Sequence, residues 1–436
     1  MWNTENVEKE ANKIRHKFSR FLRILGPGLV TGAADDDPSG IATYSQTGAQ
    51  FGYGLLWTSL FMLPFQTAVQ EACARIGVVT GKGIVAVCKQ FYSKKIVLSA
   101  VILVVIANTV NIGADIGAVA AAAQLIVPIP FVILTILFTI IVLLLEIFSS
   151  YRVYARILKW LSLALVSYLI TVFIINEPWI EILKSTLIPH FEFSFGFFFM
   201  ITGVLGTTIS PYMFFWQASE EVEEEKAKHL STISSPPRIS WNFIRLIRID
   251  TLIGMTASEI TMWAIIVTTA GTLYVSGITN INTAADAAKA LEPLVQTFPN
   301  SGFLAKCIFS FGIIGLGLLA VPVLAGSASY AVAEAVNWNE GLNLKLKRAH
   351  GFYGVIIIAT LIGLAINFVG IDPMKALVVT AVINGVVAVP LIFLIAKIAS
   401  NEKIMGEYKS GKISKTLVWL TFFAMAAAAV SMFLLL

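Results

Sequence analysis

Apolar segments long enough to cross a membrane recur along the whole chain. Each has about the 20 residues that a helix needs to cross a hydrocarbon layer of about 30 Å. Short polar connections separate the segments, so the pattern predicts an all-α integral membrane protein without a soluble domain. We expect about eleven transmembrane helices, over residues 24–50, 52–76, 95–124, 130–148, 154–176, 194–220, 244–275, 301–335, 352–370, 374–398 and 415–435.

Two of these predicted helices carry a polar interruption near their middle. Residues 35–40 read Asp-Asp-Asp-Pro-Ser-Gly, and residues 206–211 read Gly-Thr-Thr-Ile-Ser-Pro. Because proline removes a helical hydrogen bond and clashes with the preceding turn, both helices are predicted to break here. Non-helical backbone at membrane depth is tolerated only where it is buried or lines a cavity, and its carbonyls can then serve as ion ligands.

The spacing of the two interruptions indicates an internal repeat. One interrupted helix opens the first five predicted helices, and the other opens the next five, as in inverted repeats of the LeuT type. We therefore predict a cytoplasmic arm at 1–23 and a transporter core at 24–398. The core would consist of inverted repeats at 24–176 and 194–398, followed by an eleventh helix at 415–435.

Composition and charge agree with a membrane protein. The chain is 57% hydrophobic and 13% charged, against about 45–50% and about 25% in soluble domains. The net charge of +5 comes from basic residues on one predicted face, such as those at 75–95, 226–248 and 345–348. This bias predicts an inner-membrane protein with a cytoplasmic N-terminus and an external C-terminus, and it explains the charge without a nucleic-acid partner. Three cysteines at unrelated spacings predict no disulfide framework.

Two stretches resemble a known family. GPGLVTGAADDDPSG at 26–40 resembles the first-helix segment of the NRAMP family, and PFQTAVQEACARIGVVTGKG at 64–83 looks like its second helix. The likeness extends over most of the chain. It implies a transporter, not an enzyme, that carries divalent metal ions as substrates, holds no cofactor and contains no ATPase domain.

The resemblance also implies a metal site. In that family an Asp and an Asn of the first helix, a Met and a His of the sixth, and an upstream carbonyl hold Mn²⁺ or Fe²⁺. By position these fall on Asp37, Gly40, Ser210, Tyr212 and Thr207 respectively. A neighbouring carboxylate, Asp36, is expected to tune the site or to orient water; Asp35 is expected to cap the first half-helix or to pair with a base.

The departures from the family pattern favour a harder ion. Ser210 replaces a thioether, and oxygen ligands suit Mg²⁺, Ca²⁺ or Mn²⁺ better than softer transition metals. Gly40 in place of an Asn leaves more room, and Mg²⁺ usually keeps several of its waters. The chain therefore resembles the NRAMP-related magnesium transporter branch most closely, with Mn²⁺ as a second substrate.

Energy coupling is also predicted to differ. Where proton-coupled members carry acidic residues in the third helix, this chain has Asn111 and Ala114, and Asp115 is the carboxylate left there. The sixth-helix histidine, which could exchange protons near neutral pH, is absent as well. We expect uptake driven by the membrane potential, which at 100 mV contributes about 4.6 kcal/mol for a dication.

Other intramembrane polar residues are candidates for the ion pathway. Hydrogen bonding between helices is the alternative role for them and for the hydroxyls of Ser210 and Tyr212. The acidic run at 220–225 is expected to be a solvated helix end or to attract cations. The additional pathway candidates are Asn108, Asn111, Asp115, Gln217 and Asn384.

Three functional alternatives remain from the sequence. The first is a proton-coupled Mn²⁺/Fe²⁺ transporter, and the second is a Na⁺-coupled transporter of an organic solute on the same fold. The third is an intramembrane aspartyl hydrolase that uses Asp37 and Asp115, although its Gly-x-Gly-Asp arrangement is missing. The lipid bilayer and the transported ion are the expected partners, and the oligomeric state stays open.

Overall fold

A computed structural model describes residues 27–148, 165–175, 177–227 and 239–436. These residues form α-helices joined by short connections, and they contain no strand. The helices are α1 (Pro27–Asp35), α2 (Pro38–Phe51), α3 (Trp57–Thr80), α4 (Ile84–Phe91), α5 (Lys94–Gln124), α6 (Phe131–Phe148), α7 (Val166–Ile174), α8 (Trp179–Leu187), α9 (Phe195–Thr208), α10 (Pro211–Ala227), α11 (Trp241–Thr269), α12 (Ala284–Ala288), α13 (Glu292–Val295), α14 (Ser301–Val336), α15 (His350–Ile366), α16 (Pro373–Ala399), α17 (Glu402–Met405) and α18 (Lys412–Leu434).

The long helices fall where the apolar pattern places them. Within the described ranges, seven helical segments are long and apolar enough to cross a membrane, if α9 and α10 are taken together. They are α5, α6, α9–α10, α11, α14, α16 and α18. The predicted arm at 1–23 lies outside the described residues, as does most of the predicted helix at 154–176.

Both predicted helix interruptions are present. Asp36 and Asp37 separate α1 from α2, and Ile209 and Ser210 separate α9 from α10. Asp37 has an extended backbone and caps α2, while Pro38 occupies the first helical turn, where its missing N–H costs nothing. The chain thus supplies four half-helices, and their inner ends meet inside the protein.

Glycines hold the first half-helix against α11. A Cβ atom at Gly32 would lie 2.4 Å from the carbonyl of Gly254, so the two backbones are in direct contact. One turn earlier, Gly28 donates its backbone N–H to Asp250 over 2.8 Å. Because contacts advance in the same direction along both chains, α1 and α11 run parallel, and the next turn brings α11 to the interruption.

The second interrupted helix is held against α16 in the same way. A Cβ at Gly206 would lie 2.0 Å from the Ala381 carbonyl and 2.2 Å from the Gly385 nitrogen.

On the outside of the protein, large apolar side chains are exposed, as a lipid-facing surface requires. Examples are Ile106, Leu144, Ile170, Ile362 and Phe433.

Candidate cation site between the interrupted helices

Asp37 lies at the first interruption and is 1% exposed. Its Oδ1 accepts hydrogen bonds from Ser39 Oγ over 2.6 Å and from the backbone N–H of Gly40 over 2.8 Å. Its Oδ2 accepts from Asn111 Nδ2 over 3.2 Å, across from α5. The N-terminus of α2 favours a negative charge at this position, because its first N–H groups and its dipole point at the carboxylate.

Gly40 and Thr207 lie beside this carboxylate. A Cβ at Gly40 would be 3.3 Å from the Asp35 carbonyl and 3.4 Å from Thr207 Oγ1. Thr207 Oγ1 also lies 3.3 Å from Ser39 Oγ. The structure therefore brings Asp37, Gly40 and Thr207 together where the two interruptions face each other.

The hydroxyl protons of Ser210 and Tyr212 are used by backbone carbonyls. Ser210 Oγ lies 2.6 Å from the Gly206 carbonyl and 2.8 Å from the Thr207 carbonyl, which accept from it within the same chain segment. Tyr212 donates to the Ala34 carbonyl over 2.8 Å and thereby ties α10 to the end of α1. Both hydroxyls therefore make hydrogen bonds to the backbone, which was the alternative to direct contact with the ion.

A row of polar side chains on α5 faces the same region. Asn108 donates to the Leu324 carbonyl over 2.9 Å, but its Oδ1 has no partner among the described residues. The Oδ1 of Asn111 and both carboxylate oxygens of Asp115 are likewise buried and unpartnered there. Positions 108, 111 and 115 share one helix face. Since an unpaired buried acceptor costs about 1–3 kcal/mol, this face needs hydrogen-bond donors.

Two further candidates lie on α10 and α16. Gln217 accepts from the Thr31 hydroxyl and donates to Glu221 over 3.0 Å, so it links α10 to α1. Asn384 on α16 is buried, and its amide nitrogen has no partner in the part of the chain that is described. Neither side chain makes a hydrogen bond to Asp37 among those of the described residues.

The acidic run at 220–225 is largely buried, so the expected solvated helix end is wrong, while attraction of cations stays a prediction. Glu221, Glu223 and Glu225 are all less than 10% exposed. Glu223 accepts from the Tyr330 hydroxyl, from Leu342 N over 2.8 Å and from the Asn343 amide over 2.5 Å. The connection after α14 folds over the end of α10, and its donors offset the unfavourable position of carboxylates at a helix C-terminus.

Sequence reasoning missed a second polar group beside the first interruption. Gln66 on α3 donates to Asp35 Oδ2 over 2.5 Å and to the Thr208 carbonyl over 2.9 Å. Ser258 and Glu259 on α11 are buried next to Asp35. Asp35 therefore accepts from neutral side chains and does not pair with a base in the described chain. Glu259 lies inside a predicted transmembrane helix, and a carboxylate at such a position could have indicated this polar group from the sequence.

Asp37 contacts one hydroxyl oxygen and two N–H groups, and its own oxygens and the nearby carbonyls are the candidate ion ligands. No group of three or more His, Cys, Asp and Glu side chains close enough to hold a metal occurs among the described residues. Separate carboxylates, hydroxyls, amide oxygens and freed carbonyls surround the junction instead. Interrupted helices that enclose such a junction in an all-α membrane protein define the class of secondary transporters with broken helices.

Comparison with known proteins identifies the family. Residues 28–435 match the family model described as natural resistance-associated macrophage protein-like, or Nramp. The chain therefore belongs to the Nramp family.

Curated relatives cover nearly the whole chain. A protein of Staphylococcus haemolyticus named divalent metal cation transporter MntH is 25% identical over 428 residues, which cover 95% of this chain and 92% of the relative. A protein of the same name from Caldanaerobacter subterraneus is 24% identical over 395 residues, covering 90% of this chain and 88% of the relative.

Solved structures share the fold. The Eremococcus coleocola manganese transporter superposes with a TM-score of 0.73 at 16% identity, covering 95% of this chain and 86% of that one. A nucleobase-cation-symport-1 family transporter superposes with a TM-score of 0.58 at 10% identity, covering 94% of this chain and 90% of that one. These likenesses show that this chain shares its fold with both of these proteins.

Proposed function

We propose that this protein takes up hard divalent cations, Mg²⁺ first and Mn²⁺ second, through the site at Asp37 and without proton coupling. The names of the relatives, divalent metal cation transporter and manganese transporter, support the divalent class. The observation that carries the proposal is the buried Asp37 carboxylate, which caps α2 among oxygen donors at the junction of the interrupted helices. The metal ion is a substrate, and no cofactor is involved.

The ligand chemistry supports a hard ion. Asp37 contacts Ser39, the Gly40 backbone and Asn111, and all of these are oxygen or nitrogen groups. The nearby thioether of Met262 lies 3.9 Å from the Thr208 hydroxyl. No hydrogen bond between described residues joins it to Asp37. Carboxylate, carbonyl and water ligands suit Mg²⁺ and Mn²⁺, whereas thioethers favour softer metals.

The unpaired acceptors on α5 support a partly hydrated ion. Waters bound to a cation offer hydrogen-bond donors, and the face formed by Asn108, Asn111 and Asp115 offers buried acceptors without donors. Mg²⁺ keeps several waters and binds through one or two carboxylates. In our proposal Asp37 binds the ion, while Asn111 Oδ1 and Asp115 accept from its waters. Gly40, Thr207, Ser210 and Tyr212 shape the site, and Asp36 tunes its charge.

Energy coupling follows from the neutral partner of Asp37. Asn111 donates to this carboxylate where a proton-coupled transporter would place an acidic group. We infer electrogenic uptake, because the potential acting on two charges suffices for accumulation. Proton-coupled Mn²⁺ transport is the second candidate, and the buried, unpartnered Asp115 is the observation in its favour.

The finer architecture is part of the same proposal. We infer eleven transmembrane helices, inverted repeats at 24–176 and 194–398, and an eleventh helix at 415–435. The N-terminus would be cytoplasmic and the C-terminus external. Membership of a family whose relatives are named as transporters argues against the aspartyl hydrolase, and the same names argue against an organic substrate.

The test compares two aspartates in the same local setting. Asp37 and Asp372 each precede a proline and cap the helix that follows. Asp→Asn keeps the capping oxygen and removes the charge. We expect Asp37→Asn to lower Mg²⁺ and Mn²⁺ uptake into proteoliposomes at least tenfold, while Asp372→Asn retains parental uptake. Equal uptake by the parent and Asp37→Asn would overturn the proposal.

A further inference from the structure

A second buried group, here called the acidic pocket, lies beside the first interruption. It consists of Asp35, Asp36, Gln66, Ser258 and Glu259, and each of these residues is less than 5% exposed. The parallel packing of α1 on α11 brings Ser258 to the interruption, and α3 closes the pocket with Gln66. Asp37 contacts a different helix, α5, through its hydrogen bond with Asn111.

Acceptors outnumber donors in the acidic pocket. Ser258 Oγ contacts Asp35 Oδ2 and lies 3.1 Å from Asp36 Oδ1, but a hydroxyl has only one proton to donate. Asp35 Oδ1, Gln66 Oε1 and both oxygens of Glu259 are buried without partners in the described part of the chain.

Neighbouring polar side chains supply only part of the missing donors. The Thr261 hydroxyl hydrogen-bonds Asp36 and also lies 3.0 Å from the Ala257 carbonyl, so these two acceptors share its single proton. Gln70 lies one turn along α3 from Gln66, and its whole side-chain amide is buried and unpartnered among the described residues.

The charges of the pocket also lack compensation. Glu259 lies close enough to Asp35 and Asp36 for all three carboxylates to repel one another. None of the ion pairs formed between described residues reaches them. Farther along α3 and α11, Arg75 and Arg248 both pair with Glu71. Uncompensated carboxylates at membrane depth are costly, so either protons or a bound cation must neutralise this group.

We propose that the acidic pocket binds a second hydrated divalent cation beside the Asp37 site. The carboxylates do not converge closely enough to chelate a bare ion, as the absence of such a group among the described residues indicates. An ion that keeps its waters instead supplies donors to the oxygens of Asp35, Gln66 and Glu259, and its charge offsets theirs. This inference rests on the proposed function because it assumes that the bound ion is a divalent cation. It does not depend on Asp37 being the residue that binds the first ion.

Counting bound Mn²⁺ tests the pocket directly. Equilibrium dialysis of the purified full-length protein is expected to give two Mn²⁺ per chain for the parent, and one each for Glu259→Gln and Asp37→Asn. The matched control is Glu146→Gln, which removes another buried carboxylate, on α6, and is expected to retain two. Glu259→Asp keeps the charge if the Gln variant fails to fold, and it should bind the second ion about tenfold more weakly.

The outcomes separate the two claims. A single Mn²⁺ in the parent that Asp37→Asn loses and Glu259→Gln keeps would overturn the pocket and leave the proposed function standing. Parental binding by Glu259→Gln would overturn the pocket too. A single ion lost in Glu259→Gln and kept in Asp37→Asn would support the pocket and contradict the assignment of the Asp37 site.

Discussion

Asn111 donates a hydrogen bond from Nδ2 to Asp37 Oδ2 over 3.2 Å, and its own Oδ1 has no partner among the described residues. This amide therefore does two things at the junction: it stabilises the charged carboxylate, and it leaves an acceptor beside it. A carboxylate at position 111 would keep an acceptor but lose the donor, and when ionised it would repel Asp37.

Asn111→Asp is expected to weaken Mg²⁺ uptake at least tenfold, which corresponds to about 1.4 kcal/mol. The variant loses the donor to Asp37 and adds a like charge next to it. It should also make uptake sensitive to external acid, since a proton can now settle between the two carboxylates. Initial uptake rates at several external pH values measure both effects, and Asn401→Asp, at a helix cap outside the site, is the control. Parental rates would contradict the role of Asn111.

Gly40→Ala is expected to reduce Mg²⁺ uptake more than Mn²⁺ uptake. The added methyl group would lie 3.3–3.4 Å from the Asp35 carbonyl and Thr207 Oγ1, so the space for a hydrated ion shrinks. Gly354→Ala on α15 is the matched control, because its Cβ meets nothing within 4 Å. Competition between the two ions in the same vesicles gives the ratio. An unchanged ratio would argue against selection by hydrated size.

Gly32→Ala is expected to lower the free energy of unfolding by about 1–3 kcal/mol, the usual cost of overpacking. The added Cβ would lie 2.4 Å from the Gly254 carbonyl and would overlap it. The backbone cannot move aside as a flexible side chain can. Thermal unfolding of the detergent-purified protein measures the loss. A Tm equal to that of Gly354→Ala would mean that α1 does not pack on α11 as described.

Glu340 makes stability depend on pH. Burial, followed by the charges of Glu334 and Glu223, raises the pKa of this loop carboxyl above its ordinary value. A group with a raised folded-state pKa binds more protons in the folded protein, so its contribution to stability falls as pH rises from its unfolded pKa through its folded one. Glu340→Gln should flatten the decline of Tm between about pH 4.5, where the unfolded group titrates, and pH 8. A parallel decline in both proteins would contradict this.

The helix interruptions were readable from sequence, whereas the partners of their side chains were not. Pro38 and Pro211 beside small polar residues were sufficient to place both breaks, because proline acts locally. The burial of Glu223 depends on a connection more than 100 residues away, as its contact with Asn343 shows, and no local pattern reports it. The contact between Asp35 and Ser258 likewise depends on the register of α1 against α11. That register is set by the contact between Gly32 and Gly254, which are far apart along the chain.

The candidate site was predicted in part for the same reason. Asp37, Gly40 and Thr207 lie next to the breaks and close to one another, as their positions along the chain predict, and their role in ion binding stays a prediction. Ser210 and Tyr212 were placed at the right depth, but their hydroxyl protons go to the carbonyls of Gly206, Thr207 and Ala34. Hydroxyl direction follows from three-dimensional packing, which periodicity and spacing do not contain.

The central claim is tested most directly by following Mg²⁺ entry and internal pH together. Proteoliposomes containing the full-length protein and two dyes, one for Mg²⁺ and one for pH, are given an inside-negative potential. Our account predicts Mg²⁺ entry that grows with the potential, survives collapse of the proton gradient and causes no internal acidification. Entry of Mn²⁺ but not Mg²⁺, accompanied by acidification, would contradict both the proposed ion and the proposed absence of proton coupling.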